Sequence, residues 1–444
     1  MEVFIEKLVI YSIVFLLCAI VVFIYLRKQI RESREVETKI KKAKQDGLHE
    51  PVSLYPVVDP NSCIKSGACI LACPEKDILG IRNGKATLIN ASRCIGHGAC
   101  FNACPVQAIT LRIGTEQRGV ELPELNPTFE TNVQGIYIAG ELGGMGLIKN
   151  AVGQGKEAVD NIAKILDKSI DAEYDLIIVG AGPAGISASL NAKKHNLKFL
   201  TLEQDSLGGT VFTFPRSKIV MTHAMDLPLY GKVKFKETSK AELLKIWQTV
   251  LHENNIAIKE NTKVESVNRE GNVFKVETKS GDILTTKCVL LAIGRRGTPR
   301  KLNIPGEVSE KVAYRLLEPE EIRGKNIVVV GGGDSAIESA LLLVDQNKVC
   351  LSYRGEAFSR LKPKNSERIN KAISDGMVDV KLNSNLISIE DETVTLSLGT
   401  KEVVNLKNDL VYIFAGGELP IPFLKKMGVE VSMKYGEVMM KHNK

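Results

Sequence analysis

Tyr174-Asp-Leu-Ile-Ile-Val-Gly-Ala-Gly-Pro-Ala-Gly185 decides the architecture. Its first six residues form an apolar run that ends in a glycine cluster, which reads as a buried β-strand. A helical stretch, Ile186 to Lys194, follows. Strand, glycine turn and helix in that order form the setting in which G-x-G-x-x-G binds a dinucleotide. Gly180 permits the tight turn. Gly182 lets the backbone approach a pyrophosphate seated on the helix N-terminus, and Gly185 lets the helix pack close on the strand. The next strand, Phe199-Leu-Thr-Leu-Glu203, ends in Glu203, at the spacing of a carboxylate that binds a ribose hydroxyl.

The pattern returns downstream. Asn326-Ile-Val-Val-Val330 is a strand, and Gly331-Gly-Gly333-Asp-Ser-Ala336 turns into the helical stretch Ile337 to Val344, with Ala336 in place of the third glycine. Two such units in one chain resemble the two-dinucleotide-binding flavoprotein reductases of the thioredoxin-reductase-like group. Supporting stretches resemble the family too. Gly208-Gly209-Thr210 is similar to its loop under the flavin, Val289 to Gly294 to the strand closing the first flavin segment, and Val411 to Pro420 to the return strand. Thr131-Asn-Val-Gln-Gly-Ile-Tyr-Ile-Ala-Gly140-Glu141 resembles the family's last flavin-binding motif, yet it precedes the first nucleotide fold instead of following both. The resemblance covers about residues 128–444 and implies a circular permutation.

It also implies the cofactors. FAD would lie on the first fold, at Gly180, Gly182, Gly185, Glu203, Gly209 and Thr210, with Gly140 and Glu141 from the displaced motif. The nicotinamide nucleotide would lie on the second, at Gly331, Gly333 and Ala336. After Lys348-Val-Cys-Leu-Ser352 no carboxylate stands ready for a ribose diol. Arg354 and Arg360 stand where the family's NADPH users place arginines against the 2′-phosphate, a task suited to the guanidinium fork. Ser359 occupies one of those arginine positions, so NADH stays open, as does a plain solvated basic loop. The disulfide reductases of the family carry a cysteine pair. Here Val211-Phe-Thr-Phe-Pro215 follows the glycines, and Cys288 and Cys350 each stand alone, as expected of inert buried thiols. Phe214-Pro-Arg-Ser-Lys-Ile219 is closer to members without the pair, the bacillithiol disulfide reductase-like proteins and flavin monooxygenases. No catalytic side chain is assigned.

Six of the nine cysteines form a repeat. Cys63-Ile-Lys-Ser66-Gly-Ala-Cys69-Ile-Leu-Ala-Cys73-Pro is followed by Cys94-Ile-Gly-His97-Gly-Ala-Cys100-Phe-Asn-Ala-Cys104-Pro. Both copies resemble the bacterial dicluster ferredoxin run, in which the last cysteine serves the other cluster. That resemblance implies one cluster on Cys63, Cys69 and Cys104 and another on Cys94, Cys100 and Cys73. The second cysteine of each run is replaced, by Ser66 and by His97. Three thiolates per site suit a three-iron cluster, or a four-iron cluster whose fourth iron takes Ser66, His97 or an outside ligand. A metal-free relic and a zinc site of three cysteines with His97 remain alternatives.

The N-terminal run from Leu8 to Leu26 is uncharged and apolar, long enough for a helix to cross a hydrocarbon core. A signal peptide would have a shorter apolar region and a small-residue cleavage site, whereas Tyr25-Leu-Arg-Lys28 follows here. Arg27, Lys28, Arg31 and Arg34 follow the span and only Lys7 precedes it, a bias that puts the body in the cytoplasm. Glu32, Glu35 and Glu37 dilute the charge beyond it, so that stretch reads as a solvated helical spacer. About 400 residues then remain, enough for two or three domains. The net charge of +7 sits largely beside the span, and no nucleic-acid partner follows from it.

The expected fold class is α/β. Two Rossmann-like domains, for FAD and NAD(P), follow an α+β ferredoxin-like domain and one transmembrane helix. The expected boundaries are 1–27 (anchor), 28–54 (spacer), 55–113 (ferredoxin-like), 114–170 (permuted flavin segment), 171–300 (flavin), 301–406 (nucleotide) and 407–444 (return to the flavin domain). Three functions fit. The first is a single-pass protein of the cytoplasmic membrane passing electrons from NAD(P)H through FAD to clusters and an unidentified, membrane-associated partner. The second is an NADPH-dependent reductase of a small disulfide with a structural ferredoxin domain, and the third is a non-catalytic redox sensor. Family members are commonly dimers, which implies a homodimer.

Overall fold

The computed structural model describes all residues except 1, 46–48, 52–53, 76, 145, 214–218, 222–223, 234–236, 296–298, 359–360, 400–401 and 443–444. The chain divides into two compact units, residues 1–120 with 434–444, and residues 121–433.

In the first unit a single helix runs from Glu2 to Gln45. From Ile10 to Leu26 its side chains are exposed all round. Beyond that it changes character. Gln29, Ser33, Val36, Ile40 and Ala43 recur at helical spacing and turn inward, ending in the fully buried Ile40 and Ala43. The stretch expected as a solvated spacer is thus the packed half of the same helix. Ser33 meets Asn83 at 3.0 Å, Arg82 meets Glu37 at 2.8 Å and Lys39 meets Asp77 at 2.8 Å. Exposed ion pairs of this kind contribute about 0–1 kcal/mol each. Burying one aliphatic side chain contributes about 1.5–3 kcal/mol, so the apolar stripe does most of the holding.

The two cysteine runs form matching short helices, Ala68–Ala72 and Ala99–Asn102. Each is preceded by a left-handed glycine, Gly67 and Gly98, both at φ 72°. The sheet beneath pairs Tyr55–Val58 antiparallel with Ile109–Ile113. Its third strand is Glu437–Met440, paired with the other edge of Ile109–Ile113. That strand was expected to return to the flavin domain. Here it covers a sheet edge whose N–H and C=O groups would otherwise stand open.

The second unit holds two larger sheets. The first is mixed: Ile258–Lys259, Phe199–Leu202, Tyr174–Val179 and Ile283–Leu291 run parallel, and Val273–Thr278 and Val264–Glu270 continue it antiparallel. The displaced strand Ile136–Ile138 joins it off that path, parallel to Ile283–Leu291 with Val289 opposite Ile136 and Leu291 opposite Ile138. The central parallel strands are apolar on both faces because both are covered. The helix Ile148–Ile165 follows that strand and packs along Pro183–Lys194. The crossing is close because Gly155 has no Cβ; one built there would stand 2.1 Å from the Ala184 carbonyl oxygen.

The second sheet is all parallel, in the order Val312–Ala313, Leu410–Ile413, Asn326–Val330, Lys348–Ser352, Val378–Lys381. Asp334–Leu343 and Pro363–Ser374 pack on one face. An antiparallel meander, Ser384–Ile389, Thr393–Leu398 and Glu402–Lys407, packs on the other through Leu386, Val394 and Leu396.

Candidate functional site

The flavin cradle assembles around the N-terminus of Pro183–Lys194. Gly180 turns the chain at φ 103°, where an added Cβ would lie 2.6 Å from the Ala292 carbonyl oxygen. A Cβ on Gly185 would lie 1.8 Å from the Gly180 carbonyl oxygen, so only glycine allows this helix to sit so close to its strand. Gly182 faces open space instead. That is the fit a pyrophosphate needs, with backbone N–H groups and the helix dipole aimed at it. Gly209, at φ 52°, folds back to within 3.2 Å of the Gly182 Cα, measured from its own Cβ position. The Gly208 N–H donates to the Ala181 carbonyl at 2.9 Å, which holds the loop in place; Thr210 is exposed on it.

The displaced motif arrives at the same point. The Gly140 N–H donates to Gln154 Oε1 at 2.8 Å, and a Cβ on Gly140 would lie 3.2 Å from the Ala184 Cβ. Glu141 follows on an exposed turn. Glu203 is buried and accepts the N–H groups of Ala181 at 2.7 Å and Asp205 at 3.0 Å. Burial pushes its carboxyl above the ordinary range, against the pull of those two donors. Each oxygen retains an acceptor position, as binding a ribose diol requires.

The nucleotide fold repeats this construction with less closure. Gly331 sits at φ 141°, its Cβ position 2.7 Å from the Phe414 carbonyl oxygen and 3.1 Å from the Ala336 Cβ. Ala336 is fully buried, so the third position tolerates a methyl where the first fold uses glycine. Gly333 opens to space. Arg354 is exposed beside Tyr353, whose ring lies over Gly332 and stacks on Phe358 at 5.5 Å. Arg360 lies outside the described residues. Sequence reading missed Asn365, which is buried and donates to Asp334 at 2.7 Å and to Glu338 at 3.0 Å.

The cysteines of the first unit resolve into two sets. Cys63, Cys69, Cys104 and Ser66 line one cavity. Ala86 N–H points at Cys63 Sγ from 3.5 Å and Ala108 N–H at Cys104 Sγ from 3.2 Å. Such backbone donors tune cluster thiolates. Burial raises the Cys69 thiol, and its neighbours Cys104 and Cys63 raise it further. In the second set burial pushes Cys94 up to about 11 and Cys100 up to about 12, with Cys73 adding to both. The donors fit a metal cluster, since buried thiolates need its positive charge. Among the described residues no three His, Cys, Asp or Glu groups converge tightly enough for one metal ion. His97 is half-buried, with Nε2 shut off from solvent. The structure adds His442, which stacks on Phe101 at 3.7 Å and donates from Nε2 to the Phe101 carbonyl at 3.2 Å.

Residues 177–443 match the pyridine nucleotide-disulphide oxidoreductase family, and residues 55–105 match the 4Fe-4S dicluster domain. The chain belongs to the pyridine nucleotide-disulphide oxidoreductases. It is an FAD-containing, NAD(P)H-dependent oxidoreductase with an iron–sulfur domain. It is 27% identical to the bacilliredoxin reductase of Bacillus subtilis over 59% of this chain and 82% of that one. It is 30% identical to the ferredoxin–NADP reductase of Thermus thermophilus over 54% and 72%. The solved bacillithiol disulfide reductase of Bacillus cereus superposes with a TM-score of 0.51 at 25% identity, over 58% of this chain and 82% of that one. In this family member the displaced strand and its motif lie ahead of the matched residues, and Cys288 and Cys350 are buried thiols pushed up to about 12, mainly by burial.

Proposed function

We propose that this enzyme is an electron-transfer reductase held at a membrane by its N-terminal helix, moving electrons between NADPH and a membrane-associated partner by way of FAD and two clusters. When bound, FAD accepts a hydride from reduced nicotinamide and releases its two electrons singly, which is the form iron–sulfur clusters take. Gly182, Gly209 and Gly140 hold the pyrophosphate side of the flavin and Glu203 its ribose. Gly331, Gly333 and Ala336 seat the nucleotide, with Arg354 and Arg360 against a 2′-phosphate. Cys63, Cys69 and Cys104 would hold one cluster, with Ser66 available as a further ligand. Cys94, Cys100 and Cys73 would hold the other, with His97 available as a further ligand. The subunits pair as homodimers, and the soluble domains face the cytoplasm.

The observation that carries this reading is the cavity that gathers Cys63 and Cys69 of one run with Cys104 of the other, on a domain in the same chain as the displaced flavin strand. The name of the Thermus thermophilus relative pairs NADP with ferredoxin; here a 4Fe-4S dicluster domain is part of the same chain. The test is electron paramagnetic resonance with iron and sulfide analysis on anaerobically purified protein, before and after NADPH. Cluster signals that change on NADPH addition support the reading. A flavin that bleaches while the cluster signals stand still sinks it. That result favours the second reading, reduction of a small disulfide, which the likeness to the bacillithiol disulfide reductase supports.

A further inference from the structure

We infer that the loop carrying Cys63 to Ser66 is seated on the lipid surface, so that the first cluster site opens toward the membrane while the second repeat's loop does not. The inference rests on the proposed reading of Leu8–Leu26 as a span. Within the first unit the helix Glu2–Gln45 acts as a ruler, at about 1.5 Å per residue. Its contacts with the ferredoxin-like domain descend in order toward the apolar half: Lys39 meets Asp77, Val36 meets Gly80 and Ser33 meets Asn83. A further contact is at Tyr25, inside the apolar run, where the Lys65 ammonium lies 5.6 Å from the ring centroid.

Tyr25 adjoins the end of the run at Leu26, the depth at which tyrosines anchor at a membrane–water interface. The Lys65 loop is therefore at that depth too. Its chemistry suits the place. Ile64 is 62% exposed and offers an apolar side chain to the headgroup boundary. Lys65 extends its charge beside it, and Arg27, Lys28 and Arg31 supply the cations that anionic headgroups attract. Ile64, Lys65 and Ser66 also line the cavity of Cys63, Cys69 and Cys104. The matching loop of the second repeat is placed differently. Gly96 packs on the buried Leu54, which follows the far end of the helix, and Ile95 is only 37% exposed.

The test uses the full chain reconstituted in liposomes of phosphatidylglycerol and phosphatidylcholine whose acyl chains carry bromine at shallow or deep positions. Bromine quenches tryptophan on contact. The native Trp247 is buried in the second unit, and the unmodified protein gives the background. Phe15→Trp, Ile64→Trp and Ile95→Trp are compared, with iron content confirming each domain. Phe15→Trp should be quenched most by deep bromine. Ile64→Trp should be quenched more by shallow than by deep bromine, since an apolar side chain seated in the headgroup boundary reaches only a few ångströms into the acyl region. Ile95→Trp should match the background. If Ile64→Trp loses iron, Lys65→Trp on the same loop replaces it. Quenching of Phe15→Trp without Ile64→Trp, or equal quenching of Ile64→Trp and Ile95→Trp, overturns the inference and leaves the span standing. No quenching of Phe15→Trp removes the span itself.

Discussion

The two cysteine runs are nearly the same sentence written twice, yet they make different surroundings. Both place a left-handed glycine ahead of a short helix, and both lend their last cysteine to the other site. In the first set only Cys69 is buried, and Ser66 shares a cavity with the three thiols. In the second set Cys94 and Cys100 are both buried, and His442 closes over the neighbouring Phe101. Local sequence thus fixes the ligand loops, while burial is decided by what the rest of the chain lays on them. Exposure and hydrogen bonding set cluster stability and potential, so one template should yield two distinct centres.

Removing a thiolate is the hardest test of that contrast. Cys69→Ala should abolish the first cluster and Cys100→Ala the second, each lowering iron by about half because metal affinity needs every deprotonated ligand. Cys100→Ala should also cost the domain more stability, read as a lower unfolding midpoint, because its cavity opens beside a second buried thiol, Cys94, whereas Cys63 and Cys104 beside Cys69 are part-exposed. Iron loss from both sites on either substitution would contradict the pairing of Cys104 with Cys63 and Cys69. Chelation is the next largest effect. The open first site should lose iron roughly tenfold faster than the second under the same chelator, since access to ligands governs release. Equal rates would mean the two surroundings do not differ in practice.

Much of this was legible in the sequence. The glycine turns were, because Gly180 and Gly185 are dictated by contacts of a few residues' reach, with carbonyl oxygens where a Cβ would go. The displaced motif was legible as a motif, although its pairing beside Val289–Leu291 is a long-range fact. What escaped was decided by tertiary partners. Lysines and glutamates hid the Gln29–Ala43 stripe, because a half-charged helix can still bury one face. Glu437–Met440 was expected within the return to the flavin domain, but an open edge on Ile109–Ile113 determines where it goes. His442 meets Phe101 across 341 residues of chain, which no local pattern announces.

Supplying the absent cysteines sharpens the comparison from the other side. Ser66→Cys and His97→Cys should each convert their own site to full thiolate ligation and leave the other unchanged, as seen in the resonance spectrum. Each should lower the potential of its own cluster, because an added negative ligand disfavours the reduced state. The shift should be larger for His97→Cys, where the new charge enters the more buried site and is less screened. A spectrum unchanged by Ser66→Cys would remove Ser66 from the first cluster.

The smallest effect concerns the cap on the second site. His442 gives Phe101 a ring stack at 3.7 Å and an interplanar angle of 5°, together with one hydrogen bond to its carbonyl. A hydrogen bond of this kind contributes about 0.5–1.5 kcal/mol and an aromatic pair about as much again. His442→Ala should therefore lower domain stability by about 1–3 kcal/mol. It also admits water beside Cys100, which solvates the more negative reduced cluster and should raise the second potential by a few tens of millivolts, about 0.5–1 kcal/mol for one electron. His442→Phe keeps the stack and removes the hydrogen bond, so it should restore most of the potential while recovering only part of the stability. The first cluster, whose cavity lies outside that contact, should hold its potential in both variants. Equal shifts at both clusters would mean that His442 acts on the domain as a whole and not on the burial that separates one repeat from the other.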